Sequence, residues 1–157
     1  LGLVMDIAIN ASYKPEMVEQ LPIQEHAEFV IAAEGKPANS EVSISFVEDD
    51  EIARLNEEYR GIEGPTDVLS FECDNLDDEF AVPASAAVPY ELGDIIIAVD
   101  VCDRQAPEYG NTFQEEIELL LTHGLLNLCG YDHIEDDEAE VMEARERELL
   151  AKWRSRA

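Results

Sequence analysis

The chain has 157 residues, of which 10 are Lys or Arg and 37 are Asp or Glu, a formal charge of −27. At 46% hydrophobic, spread in short runs, it is long and apolar enough for one domain with one core, which argues against a disordered chain. Its longest apolar stretches, residues 95–99 and 119–121, fall far short of the roughly 20 residues that a membrane span needs.

Residues 6–10 (DIAIN) alternate polar and apolar side chains as a half-buried strand does. From 23 to 34, Ala27, Val30 and Ile31 recur at helical spacing, with Pro22 at the start and Gly35 where a C-terminal cap belongs, which predicts a helix. Val42, Ile44 and Phe46 alternate with Ser43 and Ser45 in a second strand, and Asp49 and Asp50 then open a helix that ends near Tyr59. Past the turn 61–65, residues 67–71 (DVLSF) read as a third strand. Residues 93–99 (GDIIIAV) read as a fourth, apolar throughout and so buried on both faces. The segment 73–92 between them, rich in Asp, Ala and Pro, reads as a surface loop. Thr112 with Glu115 three residues on is a capping box, and Ile117, Leu120, Leu121, Gly124, Leu125 and Leu128 trace the wide apolar face of a core helix that stops at Gly130. The last helix, about 137–153, carries Glu143 with Arg147 and Glu148 with Lys152 at i,i+4, and its predicted buried stripe is Val141, Met142, Leu149 and Trp153. No repeat or low-complexity tract interrupts this order. It predicts a single compact α+β domain over 1–157, a mixed sheet of about four strands with helices packed on it.

Charge is uneven along this chain. Residues 145–157 carry a net +3, from Arg145, Arg147, Lys152, Arg154 and Arg156 against Glu146 and Glu148, so the other 144 residues carry −30. Such a body repels polyphosphate at long range, and non-specific nucleic-acid binding is expected to be weak and salt-sensitive. The basic end either forms a local RNA-binding spot or complements the C-terminal dipole of its own helix. Residues 1–5 lack a basic segment and Asp6 breaks the apolar run, so no signal peptide is expected. Cys73, Cys102 and Cys129 are odd in number and widely spaced, which fits reduced thiols in the cytosol better than a disulfide framework or a cysteine zinc cage.

Chemistry concentrates in one eleven-residue segment, His123 to His133 (HGLLNLCGYDH), which holds two of the three histidines. Residues four apart on a helix differ by about 40° in azimuth, so His123 and Asn127 share a face, and a turn at Gly130 lets His133 swing back toward it. The spacing of His123, Asn127, Gly130 and His133 matches the metzincin zinc motif H-E-x-x-H-x-x-G-x-x-H, a zincin-like metal-site helix. Gly124 stands where a peptidase needs its Glu base, which disfavours peptide hydrolysis. Asn127 stands where the second histidine would, and an amide oxygen is a far weaker zinc ligand than an imidazole. The two histidines also admit a plainer reading, a hydrogen-bonded pair at a helix–loop corner. Asp132 suits either a carboxylate that orients an imidazole or a turn-former. His26 reads as an ordinary helix residue, and 135–138 (EDDE) as a helix N-terminus rather than a cation site.

Together with 56–71 (NEEYRGIEGPTDVLSF) and 93–97 (GDIII), this segment resembles the YbeY family of metal-dependent endoribonucleases, whose hallmark is H-G-x-L-H-L-x-G-Y-D-H. The likeness runs through nearly the whole chain. It implies a single-strand-specific endoribonuclease of ribosomal RNA processing, notably small-subunit 3′ end maturation, and of ribosome quality control, in the cytoplasm. It implies one Zn2+ held by His123 and His133 with Asn127 in the place of the third ligand. Arg60 would contact RNA phosphate and stabilise developing charge, a role that suits the bidentate guanidinium, and Arg60 and His123 are the catalytic residues implied. Taken alone, Arg60 also reads as a surface residue ending its helix. The partners implied are single-stranded or ribosomal RNA, the small ribosomal subunit and a ribosome-associated GTPase; neither DNA nor a membrane is expected. RNA binding at −27 is expected to need a locally basic cleft around Arg60, with Arg54 or the C-terminal arginines nearby, or delivery by such a partner. The alternative from another class is a non-catalytic ribosome-associated assembly factor that keeps the fold, and a metallohydrolase of some non-RNA substrate ranks last.

Overall fold

A computed structural model describes residues 5–72, 89–132 and 134–156. Its strands are β1 (Asp6–Asn10), β2 (Ser40–Val47), β3 (Val68–Glu72) and β4 (Tyr90–Ala98). Its helices are α1 (Pro15–Val18), α2 (Ile23–Ala33), α3 (Asp49–Arg60), α4 (Val99–Gln105), α5 (Phe113–Leu128) and α6 (Asp136–Ser155), with a 3-10 turn at Pro107–Tyr109. The strands form one mixed sheet in the order β1-β2-β4-β3, in which β1 and β4 flank β2 in parallel and β3 closes the edge antiparallel to β4. The α+β domain expected from the sequence is the one observed.

The alternation in β2 sends Val42, Ile44 and Phe46 into the main core, where they meet Ile95 and Ile97 of β4, Ala27, Val30 and Ile31 of α2, and Ile117, Leu121 and Leu125 of α5. On the other face, Ile52 of α3, Leu69 of β3 and Ala98 form a smaller cluster against which Leu55, Phe71, Ile96 and Val101 pack. The C-terminal half of β4 is thus covered on both sides, as its unbroken apolar run predicts. The predicted capping box is present: Thr112 Oγ1 accepts from Glu115 N at 3.1 Å, and Glu115 Oε1 accepts from Thr112 N at 2.8 Å.

Several boundaries differ from expectation. β4 begins at Tyr90, not Gly93, because Ser40 and Glu41 pair with Tyr90 and Glu91, and the register then shifts so that Val42 faces Gly93. Leu92 sits at this irregularity, fully buried, and breaks the two-residue period that would have marked the strand. The rest of the predicted 73–92 loop, residues 73–88, lies outside the described residues. Val99 opens α4 rather than ending the strand, and a seven-residue helix is too short to show a period. In α6, Val141 is 60% exposed, and the buried stripe is Met142, Glu146, Leu149, Leu150 and Trp153. The stripe steps by three and four residues from Met142, which turns Val141 to solvent.

Gly93 has φ 137°, and a Cβ there would lie 2.1 Å from the Phe71 carbonyl oxygen. The β3 edge can pair here only with glycine. Gly93→Ala is therefore expected to lower stability by about 3 kcal/mol or more, seen as a reduced denaturation midpoint, with the loss greatest in hydrogen-exchange protection of β3.

His26 is buried on α2, its Nε2 2.7 Å from Thr122 Oγ1 of α5 and its ring edge-on to Trp153 of α6 at 4.6 Å. Thr122 Oγ1 donates to the Glu118 carbonyl at 2.8 Å, so it accepts from His26 Nε2–H, which fixes a neutral tautomer. Burial first, and the Arg156 and Arg154 guanidiniums after it, push the His26 pKa down to about 4, while the Glu118 backbone carbonyl, an acceptor facing the ring, opposes them. The unfolded chain takes up this proton near pH 6.5 and the folded chain does not until about pH 4. The group's contribution is therefore complete above pH 6.5 and is lost as pH falls, to about 3 kcal/mol in all. Urea denaturation at stepped pH is expected to show a shallower acid loss for His26→Gln than for wild type across that window.

Candidate active site

The core helix α5 is buried nearly all round. From Glu115 to Leu128, the residues left accessible are Glu115, Leu119, His123 and Asn127, a single stripe at intervals of four. His123 and Asn127 thus share one face, as their spacing predicts, and both line a cleft of about 980 Å3. That volume is at the upper end of the range of about 300–1,000 Å3 common for ligand pockets. The edge strand β3 lines the same cleft, together with Tyr59 and Arg60 from the end of α3 and Gly130, Tyr131 and Asp132 from the turn after α5. Arg60 and His123, 63 residues apart, are brought into one site.

Local structure accounts for each position. α3 ends at Arg60 because Gly61 takes the left-handed conformation at its C-cap, and buried Asn56 donates from Nδ2 to the Gly64 carbonyl at 2.9 Å, pinning the turn that follows. Arg145 of α6 reaches Glu34 at 2.6 Å, and burial together with the nearby Glu34 carboxylate raises the Tyr131 phenol pKa, which places the turn after α5 against this pair. Asp132 Oδ1 accepts from Ile134 N at 3.2 Å, which is the turn-forming role. His133 lies outside the described residues.

The expected basic surroundings of Arg60 are not what the fold provides. Arg54 is held within α3 by Glu51 at 2.8 Å and Glu58 at 2.9 Å. Arg145 is held by Glu34 and Glu148, and Arg156 packs over the Trp153 ring while donating to its carbonyl. Arg145 and Arg156 therefore serve helix packing and capping. Among the described residues lining the cleft, Arg60 is the one cation, beside Asp67, Glu72 and Asp132, and no ion pair among the described residues engages it. A second groove, about 310 Å3 on the open face of the sheet, is lined by Asp6, Glu41, Glu91 and Asp94, with no cation among its described lining residues. It repels a phosphate more strongly than the Arg60 cleft does.

One site residue was not found from the sequence. Glu146 of α6 is 9% exposed, and its Oε1 lies 2.5 Å from His123 Nδ1. With Nδ1–H donated to a carboxylate, the imidazole lone pair sits on Nε2, the arrangement usual for a metal-ligating histidine. The available signal was a carboxylate at a core position, four residues from Met142 and three from Leu149.

Donor chemistry bears on a metal as follows. His123, oriented by Glu146, fits a ligand to zinc. Asn127, one turn on, offers an amide oxygen suited to a water or a harder cation. Among the described residues, no group of three or more His, Cys, Asp or Glu side chains is assembled to hold a metal. Cys129 is no candidate nucleophile or thiolate ligand, because burial pushes its thiol up to about 11.

A histidine backed by a carboxylate and an arginine that no carboxylate among the described residues engages face one cleft, chemistry suited to an anionic phosphoester. The sequence model of the family described as Endoribonuclease YbeY matches residues 8–154. Endoribonuclease YbeY of Exiguobacterium sibiricum is 46% identical over 148 residues, 93% of this chain and 94% of that protein. Endoribonuclease YbeY of Bacillus subtilis is 37% identical over 151 residues, 96% and 95% of the two. The solution structure of TM1509 from Thermotoga maritima is similar with a TM-score of 0.58 at 29% identity, over 95% of this chain and 92% of that one. The chain belongs to the YbeY endoribonuclease family, a family of ribosomal RNA processing.

Glu146→Ala is expected to weaken binding of a divalent metal about 10-fold to 100-fold, measured by competition with a chromophoric chelator. Glu146→Gln, which still accepts from Nδ1–H, is expected to lose less, and melting of the metal-free proteins reports any change in the fold itself.

Proposed function

We propose that this cleft cleaves single-stranded RNA at an internal phosphodiester, with ribosomal RNA near the small-subunit 3′ end as its substrate and a bound Zn2+ as cofactor. The observation that supports it is the meeting of Arg60 and His123 in one cleft, from segments that sequence alone leaves unconnected. Family membership favours the enzyme over a non-catalytic assembly factor.

In this reading His123 and His133 would hold the metal, and Asn127 would offer its amide oxygen to the metal or to a water. The metal, when bound, supplies a polarised water and charge neutralisation at the phosphate. Glu146 keeps the His123 ring in one tautomer and orientation, so the ligating nitrogen needs no reorganisation. Arg60, on the cleft wall with no ion pair among the described residues, donates its bidentate fork to the non-bridging phosphate oxygens and strengthens that contact as charge develops there. Gly124 leaves no glutamate base where a zinc peptidase has one, which disfavours peptidase chemistry, and a Cβ at this buried position would lie 3.1 Å from Ile95 Cγ2. The small ribosomal subunit and a ribosome-associated GTPase, in the cytoplasm, are the partners that bring the substrate.

The test is cleavage of a labelled single-stranded RNA with and without chelator. Arg60→Ala and His123→Ala are each expected to lower kcat about 10²-fold to 10³-fold while the proteins still melt cooperatively. If wild type cuts nothing with Zn2+, Mn2+, Mg2+ or Co2+, and Asn127→His cuts nothing either, the enzymatic reading is wrong.

A further inference from the structure

Tyr59 is an aromatic residue on the cleft that the reaction above does not use. It is 62% exposed at the penultimate position of α3, beside Arg60. Its ring meets Phe71 of β3 edge-on, with centroids 5.3 Å apart and planes at 64°. Phe71 is half-buried and packed on the smaller core cluster, so Tyr59 leans on a fixed support rather than swinging in solvent. Ile134, 77% exposed, adds apolar surface to the same cleft.

Charge decides what such a surface is for. With Arg60 set among Asp67, Glu72 and Asp132, phosphate neutralisation supplies little affinity for a polyanion. A π-face binds a base whatever the surrounding charge, and every base has one. Side chains adjacent in sequence, one aromatic and one guanidinium, match the adjacent base and phosphate of a nucleotide strand. A duplex keeps its bases paired and stacked, so a platform of this kind accepts only an unpaired one.

We propose that Tyr59, propped by Phe71, is the stacking platform for an unpaired nucleobase flanking the phosphate held by Arg60. This rests on the endoribonuclease reading and gives its single-strand preference a residue. The platform carries the affinity that charge in this cleft does not.

The full chain is titrated into a fluorescein-labelled single-stranded oligoribonucleotide with chelator present, so that no strand is cut. The same strand carrying one abasic ribose, moved position by position, is titrated alongside. Tyr59→Ala is expected to weaken binding about 5-fold to 100-fold, and Tyr59→Phe and Tyr59→Trp to stay near wild type. One abasic position is expected to weaken wild type by a similar factor and to leave Tyr59→Ala unchanged. The slope of log K against log salt is expected near −0.7, the value for about one phosphate neutralised on a single strand. Equal binding by Tyr59→Ala and wild type, an abasic penalty that persists in Tyr59→Ala, a slope several times steeper, or no binding by wild type in chelator each overturns the platform. Cleavage by wild type with metal is scored separately: its absence overturns the underlying endoribonuclease reading, whereas cleavage with Tyr59→Ala unaffected overturns the platform alone.

Discussion

The structure depends on how closely α5 lies on β4. Two glycines set that distance from opposite sides: a Cβ at Gly124 of the helix would lie 3.1 Å from Ile95 Cγ2, and a Cβ at Gly93 of the strand would lie 3.1 Å from Leu128 Cδ2. Helix nests on strand at both points, one turn apart along α5. A side chain at either position would lift the helix from the sheet or tilt it, and His123 follows directly on its geometry as the neighbour of Gly124. The same approach fixes β3, since Gly93 also admits the Phe71 carbonyl, and β3 is the strand that lines the cleft. Packing and site therefore share one constraint.

Rotation of α5 about its own axis is set by polar groups rather than by its apolar face, which is too wide to choose an angle. Glu116, buried, accepts from Gln105 and Asn111 at 2.8 Å each. Glu118 accepts from Trp153 Nε1 at 2.9 Å, and Thr122 from His26. Glu116, Glu118 and Thr122 on α5 each accept from a named donor, so the network specifies one azimuth instead of merely tolerating it. The residue stripe that this azimuth turns outward is the one bearing His123 and Asn127, and Glu146 completes the set by reaching His123 from α6.

Local signals carried most of the fold. Alternation in β2, the capping box of Thr112 and the helical periods of α2 and α5 are properties of a few adjacent residues, and each was readable. What depended on partners was not. The start of β4 at Tyr90 comes from pairing with β2, and the irregularity at Leu92 erased its period. On α6, acidic side chains recur so often that Glu146 looks like any solvated glutamate, and only its place on the stripe of Met142 and Leu149 separates it. Arg60 and His123 were legible as chemistry through the family likeness, but their meeting in one cleft is a tertiary fact. The expected basic neighbourhood failed for the converse reason: Arg54, Arg145 and Arg156 were already committed to Glu51, Glu34 and Trp153.

The remaining tension is between a net charge of −27 and a polyanionic substrate. At physiological salt the Debye length is about 8 Å, so carboxylates beyond the cleft act mainly on the approach of RNA and little on what is already bound. Within the cleft, the nearby acids are partly spent. Asp67 accepts from Val68 N at 2.7 Å and from Gln105 at 3.0 Å, and Asp132 accepts from Ile134 N. Their charge is shared with fixed donors, whereas Arg60 is matched by no carboxylate among the described residues. The local field is thus much less hostile than the total implies, while the distant field still repels RNA in free solution. A site of this kind engages strands that are brought to it and held at short range better than strands met by diffusion.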